Sequence, residues 1–357
     1  KTIFAGKRHS QLGGGSGGMN TTIKPVIGVT LGDAAGIGPE IVAKTAAGGL
    51  LTENAQPVII ADERLLQMGM KIANVQFEYT KARNIAEALT QTGLVLLDTH
   101  SVDMDHLKLG EVSLANGKEE GDLLVDCINY CKAGQLDGFC FAPLNKGAMK
   151  KAGYDFPSEH EMFAHYYGVK DHYGEMKVLG NLWNIRVTSH IPLGEVCKNI
   201  TVPAIVAAAE LGLTTLRRAG IENPRFAMAA VNPHAGDNGT CGTEEITVLA
   251  DAIKTLTARG MQLKGPFAAD TLFIKAFNGE FDGVITMYHD QGQIAIKLRG
   301  FEHTVTVSTG LPNAVTTPAH GTAYDIAGKG IARTSTFEDA YHLCIQMALT
   351  DRMKKKA

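Results

Sequence analysis

Short apolar runs recur along the chain, each closed by glycine or a polar turn and followed by residues with helical spacing. Residues 25–31 form one such run; it ends in Gly32-Asp33, and Gly38-Pro39-Glu40 then opens a periodic segment. Pro39 sits in the first helical turn, where its missing N–H is harmless. Residues 58–60, 94–97 and 138–141 read as further buried strands, with helical stretches such as 123–131 between them. Beyond residue 180 the alternation continues with strand 185–188, helix 202–218, strand 226–231, helix 243–257, strand 283–287 and a β-rich stretch over 304–308. Residues 336–353 predict a closing helix whose basic end (Arg352, Lys354, Lys355, Lys356) suits the negative pole of a helix. Uniformly apolar strands alternating with helices predict an α/β fold with a mostly parallel sheet covered on both faces. No internal repeat and no Pro/Ser-rich linker interrupts the pattern.

Composition narrows the function classes. The chain has 357 residues, 45% of them apolar, enough for two domains or one large one with a substantial core. With 34 Lys+Arg against 37 Asp+Glu the net charge is −3, so no basic field is available to hold nucleic acid. No run of uncharged apolar residues is long enough for a membrane helix. Six scattered cysteines without a CxxC pair read as a reduced, cytoplasmic protein; Cys127 and Cys131, at i,i+4 spacing, read as core. Residues 1–18, with Gly13 to Gly18 glycine-rich, resemble an added tag and linker and are set aside. The 40 glycines are an excess that calls for many tight turns or close backbone approaches.

Three apolar runs end alike. Val187-Thr188-Ser189-His190, Val231-Asn232-Pro233-His234 and Thr286-Met287-Tyr288-His289 each place a histidine at the carboxyl end of a strand, the edge at which α/β sheets bind ligands. Three neutral imidazoles suit an open divalent-metal site, with Asp290 and Glu245 as candidate partners that fix a ring tautomer. A second constellation runs from His320 to Ala332. Gly321, Gly328 and Gly330 there permit close approach of a ligand, while Thr322 and Asp325 offer a hydroxyl and a carboxylate to a nucleotide. The first strand is not followed by GxGxxG; the spacing in 32–38 is wrong for an ordinary Rossmann site.

Six motifs stand in an order that resembles one family: Leu31-Gly32-Asp33-Ala34-Ala35-Gly36-Ile37-Gly38-Pro39-Glu40, Ala142-Pro143-Leu144-Asn145-Lys146, Asn232-Pro233-His234-Ala235-Gly236, Ala269-Asp270-Thr271, Met287-Tyr288-His289-Asp290-Gln291-Gly292 and the 320–332 segment. The family is the 4-hydroxythreonine-4-phosphate dehydrogenases and their paralogues. The resemblance covers residues 25–353 and implies an isocitrate/isopropylmalate dehydrogenase-like fold, two α/β domains with a cleft between them. Residues 19–147 plus 306–357 would form the nucleotide-side domain, and 148–305 the domain with metal site and dimer interface. It also implies NAD or NADP, one divalent ion per site (Zn, Mg, Mn, Co or Ni), and oxidation of a 3-hydroxy acid followed by β-decarboxylation. By the same resemblance His190, His234 and His289 would hold the metal, one of them supplied by the other subunit of a homodimer. His320, Gly321, Thr322, Ala323, Asp325 and Gly328 would bind the dinucleotide. Asp270 and Lys146 are the candidates for proton transfer and polarisation.

The substrate anchors depart from that pattern. The family has a His-Thr pair in Gly-His-Thr-Glu, then a Lys, an Asn and an Arg at nine-residue intervals. Here the pair is Glu159 and His160, Lys297 keeps the lysine, Thr306 replaces the asparagine and Val315 replaces the arginine. Losing a guanidinium deletes the strongest anion contact available, and Glu159 adds repulsion. The expectation is a paralogue acting on a less anionic hydroxy acid or diol. An authentic 4-hydroxythreonine-4-phosphate dehydrogenase, a zinc hydrolase and a non-catalytic metabolite-binding paralogue are the alternatives.

Overall fold

The structure, a computed structural model, describes residues 24–356; the tag-like residues 1–18 lie outside them. Twelve strands form one sheet: β1 (Val26–Thr30), β2 (Gln56–Ala61), β3 (Thr80–Ala82), β4 (Val95–Asp98), β5 (Gly138–Phe141), β6 (Gly174–Leu179), β7 (Leu182–Arg186), β8 (Phe226–Ala229), β9 (Leu263–Phe267), β10 (Gly283–Thr286), β11 (Thr304–Thr309) and β12 (Ala314–Pro318). Their order across the sheet is β3-β4-β2-β1-β5-β12-β11-β6-β7-β10-β8-β9. From β3 to β12 every pairing is parallel, and so is every pairing from β7 to β9. The two parallel halves meet through three antiparallel pairings, β12–β11, β11–β6 and β6–β7. The α/β expectation holds, and the seam in the middle is where the sheet changes character.

Local chemistry explains the helices. Ser113 caps the Leu114–Lys132 helix and Ser158 the Glu159–Tyr167 helix, each accepting from a backbone N–H three residues on. Thr201 caps Val202–Arg218, which has Pro203 in its first turn and matches the expected bounds. The expected helix over 243–257 is two pieces, a π-helical turn Glu245–Leu249 and an α-helix Ala250–Ala258. The strand expected at 185–188 is shifted to Leu182–Arg186, because Leu182 and Trp183 pair with β6 and both are buried. The closing helix spans Ser335–Lys356, and Arg352 Nε bonds Asp137 at 2.7 Å.

The core lies on both faces of the sheet. One cluster joins β1, β2 and the Gly38–Ala47 helix to the second half through Trp183, Phe226 and Tyr341. Another packs the Leu114–Lys132 and Glu159–Tyr167 helices on β5 and β12, with Phe163 edge-on to Phe139 and Phe141 at 5.8 and 5.6 Å. Cys127 and Cys131 are buried there as free thiols. Gly32 shows why one strand end needs glycine: its φ is +66°, and an added Cβ would lie 2.3 Å from the Pro143 carbonyl oxygen. The turn after β1 thereby closes on the turn after β5.

Candidate active site

The seam opens into a cavity of about 210 Å³ lined by Phe141, Pro143, Leu144, Lys146, Glu159, His160, Glu175, Lys177, Thr306, Ser308, Thr317, Pro318, Ala319, His320 and Gly321. Its floor is the antiparallel ladder, in which Thr306 faces Lys177 on one side and Thr317 on the other, and Ser308 faces Glu175 and Val315. Cross-strand partners share a face of the sheet, so these six side chains form two parallel rows. Val315 is fully buried and packs with the Phe139–Phe163 cluster. It therefore carries no polar group to the floor.

Glu159 and His160 enter from the first turn of their helix. The Glu159 carboxylate pairs with Lys146 Nζ at 2.6 Å, the lysine being 63% exposed, so this rim pair contributes little to stability. The His160 ring Nδ1 lies 3.0 Å from Ser158 Oγ. Burial lowers its pKa below the ordinary histidine value, with Glu175 and Glu159 pulling the other way. His320, also lowered by burial, lies with its Nδ1 3.0 Å from the Gly321 carbonyl.

Beneath the cavity Lys177 Nζ donates to Thr306 Oγ1 at 2.7 Å and lies 3.5 Å from Glu175 Oε2. Arg186 Nη2 donates to Glu175 Oε1, and its Nε to Ser189 Oγ at 3.0 Å. Burial would raise the Glu175 carboxyl, but Lys177 and Arg186 outweigh it and hold it far below the usual carboxylate range. Burial likewise lowers the Lys177 ammonium, and Glu175 only partly offsets this. The sequence reading did not single out Glu175, Lys177 or Arg186. The signal for Glu175 and Lys177 was charge inside an otherwise alternating strand pattern, Gly-Glu-Met-Lys-Val-Leu, and Arg186 is the last residue of β7.

The three strand-end histidines emerge at the carboxyl ends of β7, β8 and β10. The rings of His190 and His289 lie side by side, with centroids 5.8 Å apart and planes tilted by 45°. A metal–nitrogen bond of ~2.1 Å puts a ligating ring's centroid about 3.2 Å from the ion, so two such rings stand roughly 5–6 Å apart. Asp290 Oδ1 lies 2.7 Å from His289 Nδ1, which leaves Nε2 for a ligand, as proposed for that aspartate. Burial lowers the His190 pKa, which favours the neutral ligand form. His234 is exposed on a turn in which residues 234–238 all have positive φ. Glu245 does not meet a histidine ring; its carboxylate accepts the Val231 and Asn232 backbone N–H groups, both at 2.8 Å. Gly236 makes room for it, since a Cβ there would meet Glu245 Oε2 at 2.7 Å. Glu245 thus holds the His234 turn rather than a ring. Among the described residues the one close group of potential ligands is Asp62, Asp98 and His100, and Asp62 there is taken up by Arg64 at 2.6 Å.

The 320–332 segment is a series of turns laid on the residues after β1. Ile37 N–H donates to the Thr322 carbonyl at 3.1 Å, and a Cβ on Gly36 would meet Thr322 at 3.0 Å. Ala323 has φ +45° and Gly328 φ +78°; Asp325 is exposed, and the position of a Cβ on Gly321 is open. The Tyr324 hydroxyl donates to Asp33 Oδ2 and accepts from Asn145 Nδ2 at 2.7 Å, tying the segment to both the β1 and β5 turns. An open glycine position beside the cavity and an exposed carboxylate fit a bound dinucleotide. Asp270, in the first turn of Ala269–Phe277, and Lys297, near the end of His289–Gly300, are exposed and do not line the cavity.

Comparison with known proteins decides the family. The model for "Pyridoxal phosphate biosynthetic protein PdxA" matches residues 53–344. The chain belongs to the PdxA family. The D-threonate 4-phosphate dehydrogenase of Cupriavidus necator is 36% identical over 325 residues, 91% of this chain and 97% of the relative. The solved 4-hydroxythreonine-4-phosphate dehydrogenase of Klebsiella pneumoniae superposes with a TM-score of 0.80 at 34% identity, covering 91% of this chain and 98% of that one. A terephthalate 1,2-cis-dihydrodiol dehydrogenase from Burkholderia xenovorans LB400 superposes with a TM-score of 0.63 at 25% identity, over 90% and 98% of the two chains. Proteins similar to this chain thus include ones named for a phosphorylated and for an unphosphorylated substrate.

Proposed function

We propose that this PdxA-family oxidoreductase is an NAD(P)-dependent, divalent-metal-dependent dehydrogenase that oxidises the secondary alcohol of a 3-hydroxy acid and favours loss of the β-carboxylate. Its substrate differs from 4-hydroxythreonine 4-phosphate. The observation that carries the reading is the close pair His190–His289, with the Asp290 carboxylate on His289 Nδ1. His234 completes the ligand set from the other subunit of a homodimer, so each site needs both chains. When bound, the ion supplies a Lewis acid and the dinucleotide a two-electron hydride acceptor. The oxidation turns alcohol and NAD(P)+ into ketone, NAD(P)H and a proton; decarboxylation then consumes one proton and releases carbon dioxide.

The chain's own groups supply the rest. His320, Gly321, Thr322, Ala323, Asp325 and Gly328 hold the dinucleotide beside the cavity. Lys146, at the rim, polarises the carbinol and exchanges its proton, and Asp270 delivers the proton that replaces the lost carboxylate. Substrate choice follows from the floor, where Thr306 and Val315 stand in for the family's asparagine and arginine. Six free cysteines suit a reducing compartment such as the cytoplasm. His234→Ala is expected to abolish stoichiometric metal, read by elemental analysis, and to lower NADH formation at least ~100-fold. Full activity in that variant would refute the metal assignment.

A further inference from the structure

The charges under the cavity do not balance. Glu175 contributes one negative charge, Lys177 and Arg186 two positive ones, and none of the three side chains is more than 13% exposed. The Lys146–Glu159 pair above them is neutral in sum. One positive charge is therefore left over in a place where water screens it poorly, a costly arrangement unless something anionic completes it. The local hydrogen bonding has the same gap. An ammonium has three donors; Lys177 has only Thr306 Oγ1 and Glu175 Oε2 within reach. Arg186 Nη1 is buried without a partner.

The rows of the floor place this surplus relative to the lost anchor. Val315, Ser308 and Glu175 lie in one row, and Thr317, Thr306 and Lys177 in the next. The expected arginine position and Lys177 thus share one face of the sheet, two strands and one row apart, or about 12 Å at ~4.8 Å per strand and ~3.4 Å per residue. A cation is missing on β12 and a cation is present on β6, with the hydroxyls of Thr306 and Ser308 between them. Resting on the dehydrogenase reading above, we propose that Lys177 is the substrate's anion anchor, positioned by Glu175 and Arg186, and that the substrate carries a single carboxylate and no phosphate. One carboxylate cancels the surplus charge. A phosphate dianion overshoots it, beside the carboxylates of Glu175 and Glu159.

Calorimetric titration of the full chain, loaded with Mn2+ and NAD, tests this with D-threonate, L-threonate and 3-hydroxybutyrate, and with the 4-phosphates of the two threonates. NADH formation is followed separately on the same mixtures. At least one of the single-carboxylate acids is expected to bind, no more weakly than a phosphorylated counterpart. Lys177→Met should weaken that binding at least tenfold while Lys177→Arg stays within threefold of the parent, and Arg186→Lys should raise KM more than it lowers kcat. If Lys177→Met fails to fold, as a thermal melt would show, Thr306→Val, which removes the lysine's acceptor, should still weaken binding about threefold. Tenfold tighter binding of a 4-phosphate, unchanged affinity in these variants, or no binding of any single-carboxylate acid overturns the proposal. The expected binding pattern without NADH would instead refute the dehydrogenase reading and leave the anchor standing.

Discussion

Glu175 and Glu119 are both buried carboxylates, and their surroundings charge them in opposite senses. Glu175 lies between Lys177 and Arg186, whose attraction outweighs the burial penalty and keeps it ionised. Glu119, on the Leu114–Lys132 helix, accepts from Ser101 Oγ at 3.0 Å, and the charged groups that act on it are carboxylates. Burial raises its pKa to about 8, with Asp62 and Asp33 adding to the rise. Its neighbour Glu120 is pushed well above the ordinary value for the same reason, and Asp33 is raised by burial too. One region holds an ion pair with charge to spare; in the other, burial disfavours the charged form of each acid. The first can read the charge of a ligand, whereas the second is a scaffold: Glu120 accepts the Asn145 N–H at 2.8 Å, and Asn145 and Asp33 fix Tyr324.

The largest expected effect tests the ion pair. Glu175→Leu leaves two buried cations facing each other and should cost about 3–5 kcal/mol of stability at pH 7, measured by urea unfolding. A neutral outcome would mean that the cations are solvated and that no surplus charge is buried there.

The acid scaffold should respond with the opposite pH sign. Because the folded-state pKa of Glu119 lies above its unfolded value of about 4.5, the folded chain binds more protons between those values. Its contribution is fully present below pH 4.5 and is lost as pH rises toward 8. Glu119→Gln, which keeps the protonated shape, should therefore raise stability by roughly 2–4 kcal/mol at pH 8.5 and change little at pH 4.5. Glu175, depressed, behaves in reverse: its contribution is present above about pH 4.5 and is lost as pH falls below it. Equal responses of Glu119→Gln at both pH values would erase the contrast.

Smaller effects sharpen it. Tyr324→Phe removes the hydroxyl that joins Asp33 to Asn145 and should cost about 1–2 kcal/mol, with a raised KM for the dinucleotide. Lys146→Met breaks only the rim pair and should change stability by less than about 1 kcal/mol, while lowering turnover.

What could be read from the sequence follows the same division. Strands buried on both faces, such as β1, β5 and β10, appear as apolar runs with turn residues at each end, and the Val202–Arg218 helix announces itself through Thr201 and Pro203. β6 escaped notice because its alternate residues face a cavity rather than core, so Glu175 and Lys177 break the apolar run. Which strands flank it is a matter of long-range register: Thr306 meets Lys177 across 129 residues, and no local pattern encodes that. The histidines at strand ends were legible as a class. The turn that carries His234 was not, since non-glycine residues such as Ala235 rarely adopt positive φ, and only the Glu245 carboxylate and the gap at Gly236 show what holds it.

On the function proposed above, the machinery of the PdxA family here serves an unphosphorylated hydroxy acid. The most direct measurement is kcat/KM for NADH formation with the metal-loaded protein, on matched pairs of 3-hydroxy acids with and without a phosphate ester, 4-hydroxythreonine 4-phosphate included. An unphosphorylated acid is expected to be turned over at least tenfold more efficiently than its phosphorylated partner. Preferred turnover of 4-hydroxythreonine 4-phosphate would overturn that assignment.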